Sequence, residues 1–171
     1  MTPMTTMPKT LIVCASIHQQ NTARIAAAIG DALLAKIVRP EDVAPADLYQ
    51  YDVVGFGSGI YYGAVHAAIT DLVRRLPEDG RQRPAAFIFS TSGLPFLWPL
   101  WHRRLKADLG RKGFGILGEF HCRGCDRWGP LWLVGGINRR HPDARDLDRA
   151  AAFARTIRGR FDAAARSGAG P

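Results

Sequence analysis

The apolar runs of this chain are continuous rather than alternating. Ala85-Ala86-Phe87-Ile88-Phe89 contains no polar residue, and Thr10-Leu11-Ile12-Val13-Cys14-Ala15 and Tyr51-Asp52-Val53-Val54-Gly55-Phe56-Gly57-Ser58 are apolar through their centres. A strand with one wet face alternates apolar and polar residues, whereas a strand covered on both faces does not. These runs therefore read as the middle layer of three. Between them lie stretches of helical spacing. Ala23 to Ile29 opens a first helix that ends near Ala35, and a second runs from about His66 to Leu76 with Ala67, Ala68, Leu72 and Leu76 on one face. A third runs from about Leu100 to Arg111 around Leu105 and Leu109, and a last one from Asp143 to about Ala164 has Leu147, Ala151, Ala154 and Ile157 inward. A short strand is expected over 35–38, a linker over 40–46 where Pro40 and Pro45 break regular structure, and a fifth strand over 114–122. Strands separated by helices predict an α/β fold, a three-layer α/β/α sandwich on a five-stranded parallel sheet, because parallel neighbours need crossover connections.

A length of 171 residues with 47% hydrophobic content suits one folded domain over 9–164, between a flexible lead-in (1–8) and a flexible tail (165–171). No apolar run is long enough to span a bilayer, and the opening residues lack a basic-then-apolar signal, so a cytoplasmic location with reduced cysteines is expected. The net charge of +8 raises the question of acidic partners. From Trp98 to Trp128 there are seven Lys or Arg against three Asp or Glu. No basic arm, zinc-finger spacing or aromatic RNA-binding strand accompanies them. The excess reads as a solvated basic face, or as a docking surface for an acidic redox partner, rather than a nucleic-acid site.

In open α/β sheets ligands bind beyond the carboxyl ends of the strands. Three segments fall there: Ser16-Ile17-His18-Gln19-Gln20-Asn21-Thr22 after the first strand, Ser58 to Gly63 after the third, and Ser90 to Gly93 after the fourth. The first offers hydroxyl and amide groups and no carboxylate just where a helix begins, which suits an anion. The same residues would serve equally to cap the helix. Cys122 and Cys125 form a Cys-x-x-Cys pair, readable as a thiol couple or as half a metal site completed by His121, His141 or Cys14. Cys14, inside a strand, reads as core. His66 at a helix start and His102 among arginines read as solvated, Trp101 as a core anchor, and Trp98 as a candidate ligand contact.

The loops Gly57-Ser58-Gly59-Ile60-Tyr61-Tyr62-Gly63 and Phe89-Ser90-Thr91-Ser92-Gly93 resemble those of the flavodoxin family, together with the first polar loop and the segments Cys122-Arg123-Gly124, Trp128-Gly129-Pro130, Gly135-Gly136-Ile137-Asn138 and His141-Pro142-Asp143. The resemblance covers about 9–157 and is to small stand-alone flavodoxin-like proteins. It implies the strand order 2-1-3-4-5 and an FMN cofactor. Ser16, His18, Gln19, Gln20, Asn21 and Thr22 would then hold the phosphate. Ser58, Gly59, Ile60, Tyr61, Tyr62 and Gly63, with Ser90, Thr91, Ser92 and Gly93, would flank the isoalloxazine ring. Tyr61 or Tyr62 would stack on it, Trp98 or Trp128 would cover it, and the peptide at Gly59 would face its N5. The implied function is electron transfer, or a small flavin-dependent oxidoreductase, working with a redox partner protein or a small-molecule acceptor. Two departures stand out: Gln20 occupies a turn where the family's phosphate loops carry glycine, and the chain is basic where flavodoxins are acidic. They leave open a fold that has lost FMN and binds another ligand or a protein, or a thiol or metal site at Cys122 and Cys125.

Overall fold

The computed structural model describes residues 7–16, 20–78, 83–93, 96–124 and 141–167. The elements are β1 (Thr10–Ala15), α1 (Asn21–Leu33), β2 (Lys36–Val38), β3 (Val53–Tyr61), β4 (Ala64–Val65), α2 (Ala67–Arg74), β5 (Ala85–Ser92), α3 (Trp98–Arg111), β6 (Gly115–Arg123) and α4 (Ala144–Arg166). The linker after β2 folds into two 3-10 turns, Pro40–Asp42 and Pro45–Gln50, each with proline in its first turn, where a missing N–H leaves no bond unmade.

The sheet order is β2-β1-β3-β5-β6, all parallel, and β4 adds a two-residue antiparallel pairing to the end of β3. The five parallel strands thus take the order that the flavodoxin resemblance implies. Successive side chains of a strand face opposite layers, and each strand divides its residues accordingly. Leu11, Val13, Val54, Phe56, Ala86 and Ile88 pack against Ile69, Leu72, Leu105 and Leu109 of α2 and α3. Ile12, Cys14, Phe87, Phe89 and Phe120 pack against Ile25 and Ile29 of α1 and Ala154 and Ile157 of α4. Gly55 and Gly57 give the second layer its room: a Cβ on Gly57 would lie 2.0 Å from Cζ of Phe89, and one on Gly55 2.3 Å from Cζ of Phe87. The two rings lie directly over bare backbone.

Several boundaries differ from expectation. β3 runs on to Tyr61 and turns back through Tyr62 (φ 51) and Gly63 (φ 74), so Ser58 to Gly63 is a strand end and a two-residue hairpin turn rather than a loop. Positive φ at both central residues is the type I′ geometry that matches strand twist. β5 likewise includes Thr91 and Ser92, which pair with Cys122 and Arg123. α3 starts at Trp98, with Pro99 in its first turn. α4 buries Ala150 where Ala151 was expected, beside Ala154 and Ile157, and α2 buries Ile69, Leu72 and Val73 while Ala67 is exposed. Most of the irregular segment read over 123–142, with Cys125 and Trp128, lies outside the described residues, as do His18 and Gln19.

Candidate functional site

Order 2-1-3 means that the chain leaves β1 and β3 toward opposite sides of the sheet, and the carboxyl edge between them is the switch point where α/β folds bind ligands. α1 begins here. Gln20 precedes it in the left-handed region (φ 51, ψ 22), the conformation glycine adopts without penalty, and its side chain makes no cap. The first turn of α1 holds no carboxylate, while Asn21 and Thr22 are buried in it. The Ser16 hydroxyl accepts a hydrogen bond from the Ala23 N–H at 3.4 Å. Thr22 and Thr91 join hydroxyl to hydroxyl at 2.8 Å, tying the helix start to the end of β5. The end of β6 closes on the same place, where the Gly124 N–H donates to the Ser92 carbonyl at 2.9 Å. A cleft of about 600 Å³ opens beside α1, lined by Ser16, Gln20, Arg39 and His66 among others.

Of the second segment, Ser58 is buried, and its hydroxyl accepts from the His66 N–H at 2.9 Å and donates to the Gly59 carbonyl. His66 caps α2, its Nδ1 accepting from the Ala68 N–H at 3.1 Å, and its ring meets that of Tyr61 edge-on. Tyr61 folds back over Gly59, whose Cβ would lie 2.7 Å from the tyrosine hydroxyl. Ile60 is half-buried, while Tyr62 is 87% exposed at the hairpin tip. The turn at Gly63 rests against the Trp101 indole.

The third segment carries what the sequence reading missed. Across the sheet's edge Ala15, Ser58, Ser90 and His121 stand in register on adjacent strands. Ser90 is fully buried, and its hydroxyl bonds to Nε2 of His102 at 2.7 Å and to Nδ1 of His121 at 2.9 Å. His121 Nε2 lies 3.2 Å from the Ser92 hydroxyl, His102 Nδ1 lies 3.3 Å from Glu119, and Lys106 donates to Glu119 at 2.5 Å. Trp98 stacks parallel on His121 and meets His102 edge-on. His102, read as solvated, is fully buried. Burial pushes the His121 imidazole down to about 4, helped by its neighbours His102 and Arg149, and burial likewise lowers His102 against the opposing pull of Glu119. Both rings are neutral near neutral pH, each with one donor and one acceptor nitrogen.

Cys14 and Cys122 are buried thiols pushed up to about 12 by burial. That is the opposite of the depression that makes a thiol reactive. The Cys-x-x-Cys pair itself extends beyond the described residues. Among the described residues His141, Asp143 and Asp146 approach as metal ligands do, and Asp143 and Asp146 also form the capping box that opens α4.

No protein-family profile matches the sequence. An uncharacterized protein of Methanocaldococcus jannaschii is 43% identical over 149 residues, covering 87% of this chain and 97% of its own. Flavodoxin 1 from Bacillus cereus superposes with a TM-score of 0.66 at 14% identity, over 87% of this chain and 96% of that one. The chain belongs to the archaeal protein's family, and its fold is that of flavodoxin. The apo form of an NADH:FMN oxidoreductase is similar to this flavodoxin-like protein with a TM-score of 0.59 at 16% identity, over 86% of this chain and 88% of the other. Among its described residues no helix is long and apolar enough to cross a membrane.

Proposed function

We propose that this flavodoxin-like protein binds FMN at the carboxyl edge of its sheet and works as an electron carrier or a small flavin-dependent oxidoreductase. The observation that carries this is the start of α1, a thirteen-residue helix whose first turn is free of carboxylates and holds buried Asn21 and Thr22 at the switch point. The N–H groups at a helix start and the positive end of the helix dipole suit a phosphate there. Ser16, Gln20, Asn21 and Thr22, with His18 and Gln19 between them in sequence, would hold the phosphate. The β3–β4 hairpin, Ser58 to Gly63, and the end of β5, Thr91 to Gly93 above buried Ser90, would flank the ring. When bound, FMN supplies the electron-carrying chemistry; the chain positions it and sets its surroundings. Fold neighbours that are flavodoxins, and one whose name includes FMN, support the reading. The +8 charge points to an acidic redox partner or an anionic small-molecule acceptor, and the expected location is the cytoplasm.

The test is an FMN titration followed by flavin fluorescence, run in parallel with riboflavin. Wild-type protein should quench FMN at stoichiometric ratio and bind riboflavin more weakly. Asn21→Asp places a carboxylate at the helix start and should weaken FMN roughly tenfold while leaving riboflavin within about twofold. Absence of quenching by folded wild-type protein would refute FMN binding; equal losses for both flavins would remove the phosphate from α1. Reduction by NADH or NADPH, with and without an added flavodoxin reductase, then separates enzyme from carrier.

A further inference from the structure

The row of side chains from Lys106 to Ser92 is continuous and polar, and from His102 through Ser90 and His121 to Ser92 it is buried where its surroundings are apolar. One register step below Ser90, the same face carries Val13, Phe56 and Ile88. A satisfied buried network gains little over an apolar core of equal volume. Stability alone therefore gives no reason for two histidines and two serines to replace that packing, still less for them to join end to end.

We propose that Glu119, His102, Ser90, His121 and Ser92 form a proton relay between the Lys106 side of α3 and the carboxyl edge of the sheet. The polarity of the line follows from its ends. Glu119 accepts from Lys106 at one oxygen and offers the other as an acceptor to His102, so His102 presents Nδ1–H to it and leaves Nε2 as an acceptor. The Ser90 hydroxyl donates to that nitrogen, and having only one proton it must accept from Nδ1–H of His121. His121 Nε2 then accepts from the Ser92 hydroxyl. Every bond points toward Glu119. A proton arriving on Ser92 Oγ displaces the serine's own proton to His121 Nε2. The Nδ1 proton of His121 passes to Ser90, that of Ser90 to Nε2 of His102, and the Nδ1 proton of His102 to the Glu119 carboxylate. Four O–H or N–H bonds of the line break and five form, the fifth holding the arriving proton, so one proton moves and no electron does. The reverse sequence, starting from protonated Glu119, delivers a proton to the edge. The geometry suits both directions: Ser90 and His102 are fully buried, so water does not interrupt the line, and Trp98 covers His121 with ring planes 10° apart. Among the described residues the charged groups facing the line are Lys106 and Glu119 at one end and Arg149 near His121. Both rings are neutral, as a relay needs.

Use of the relay in redox chemistry rests on the FMN reading, whereas the relay itself is testable without flavin. Nitrogen-15 long-range correlation spectra of the protein alone should show His102 and His121 neutral at neutral pH with the proton on Nδ1 in both. Opposite tautomers on the two rings, a proton on Nε2 in both, or a charge on either ring would overturn the directed line. In FMN-loaded protein, reduction by a formate-derived radical pulse in weakly buffered solution, read with a pH-indicator dye, measures proton uptake. Glu119→Gln keeps an acceptor for His102 but cannot carry the proton. It should leave FMN affinity within about twofold and slow uptake on the order of a hundredfold, the contribution typical of a positioned acid or base. Equal uptake rates in variant and wild type would overturn the proposal.

Discussion

His121 lies under the Trp98 ring with only 8% of its surface exposed, and that burial holds its pKa near 4 instead of 6.5. As pH falls the unfolded chain takes up the proton first, so this group's contribution to stability is complete above 6.5 and declines between 6.5 and about 4. Buried His102 shifts in the same direction. At about 1.4 kcal/mol per pK unit the loss for His121 approaches roughly 3 kcal/mol. Urea midpoints at several pH values should fall across that window, and His121→Gln should remove most of the slope; a flat wild-type profile would show that the ring is not held neutral. Gly57 sets a second sharp constraint. A methyl group there meets Phe89 at 2.0 Å, so Gly57→Ala should cost about 1–3 kcal/mol by overpacking, and Phe89→Leu in the same chain should recover part of it. Equal or larger loss in the double variant would mean that the ring is not what the methyl meets. At this scale the sequence showed less than it contained. His102, Leu105 and Leu109 follow the i, i+3, i+7 spacing of a buried helix face, but the arginines beside His102 drew it toward solvent. Glu119 and His121 alternate on β6 like Ser90 and Ser92 on β5, and only the register joins them into one row.

Elements were legible wherever apolar periodicity was long, and failed at their polar ends. Thr91 and Ser92 read as loop because they are polar, yet strand pairing with Cys122 and Arg123 extends β5 through them. Tyr62-Gly63, between the apolar pairs Ile60-Tyr61 and Ala64-Val65, carries the hairpin signal of a glycine in a two-residue turn, but glycines at 55, 57 and 59 hid it among neighbours that serve packing instead. The end of α1 shows how an element can be closed by an unfavourable residue. Leu34 caps it in the left-handed region (φ 52) with 77% of its surface exposed, while its N–H and that of Ala35 both bond to the Gly30 carbonyl. Glycine is the residue that takes this position freely. Leu34→Gly should therefore raise stability by about 1 kcal/mol, with an unchanged dependence on urea concentration, because the strain of a left-handed leucine is removed and little buried surface is lost. A lower urea midpoint would mean that Leu34 contributes packing its exposure does not reveal.

For the whole molecule, parallel strands joined by crossovers follow from the strand and helix patterns, and the order β2-β1-β3-β5-β6 is the one the flavodoxin resemblance implies, whereas the line from Lys106 to Ser92 depends on three-dimensional neighbours. Charge is the other property that belongs to the molecule entire. At +8 the chain attracts anions over a distance set by the Debye length, about 10 Å at 0.1 M salt and about 30 Å at 0.01 M. FMN carries a phosphate of charge near minus two at neutral pH, so its approach to this protein gains from the field, whereas an acidic flavodoxin repels it. The association rate for FMN should therefore fall with rising ionic strength, by roughly tenfold between low and moderate salt, while riboflavin, which lacks the phosphate, should change little. Stopped-flow quenching of both flavins separates the two contributions. A falling FMN rate with a flat riboflavin rate ties the basic surface to the phosphate. Equal, flat profiles would assign the charge to a partner instead, since surface charge that does not steer the cofactor is left to act on whatever docks beside it.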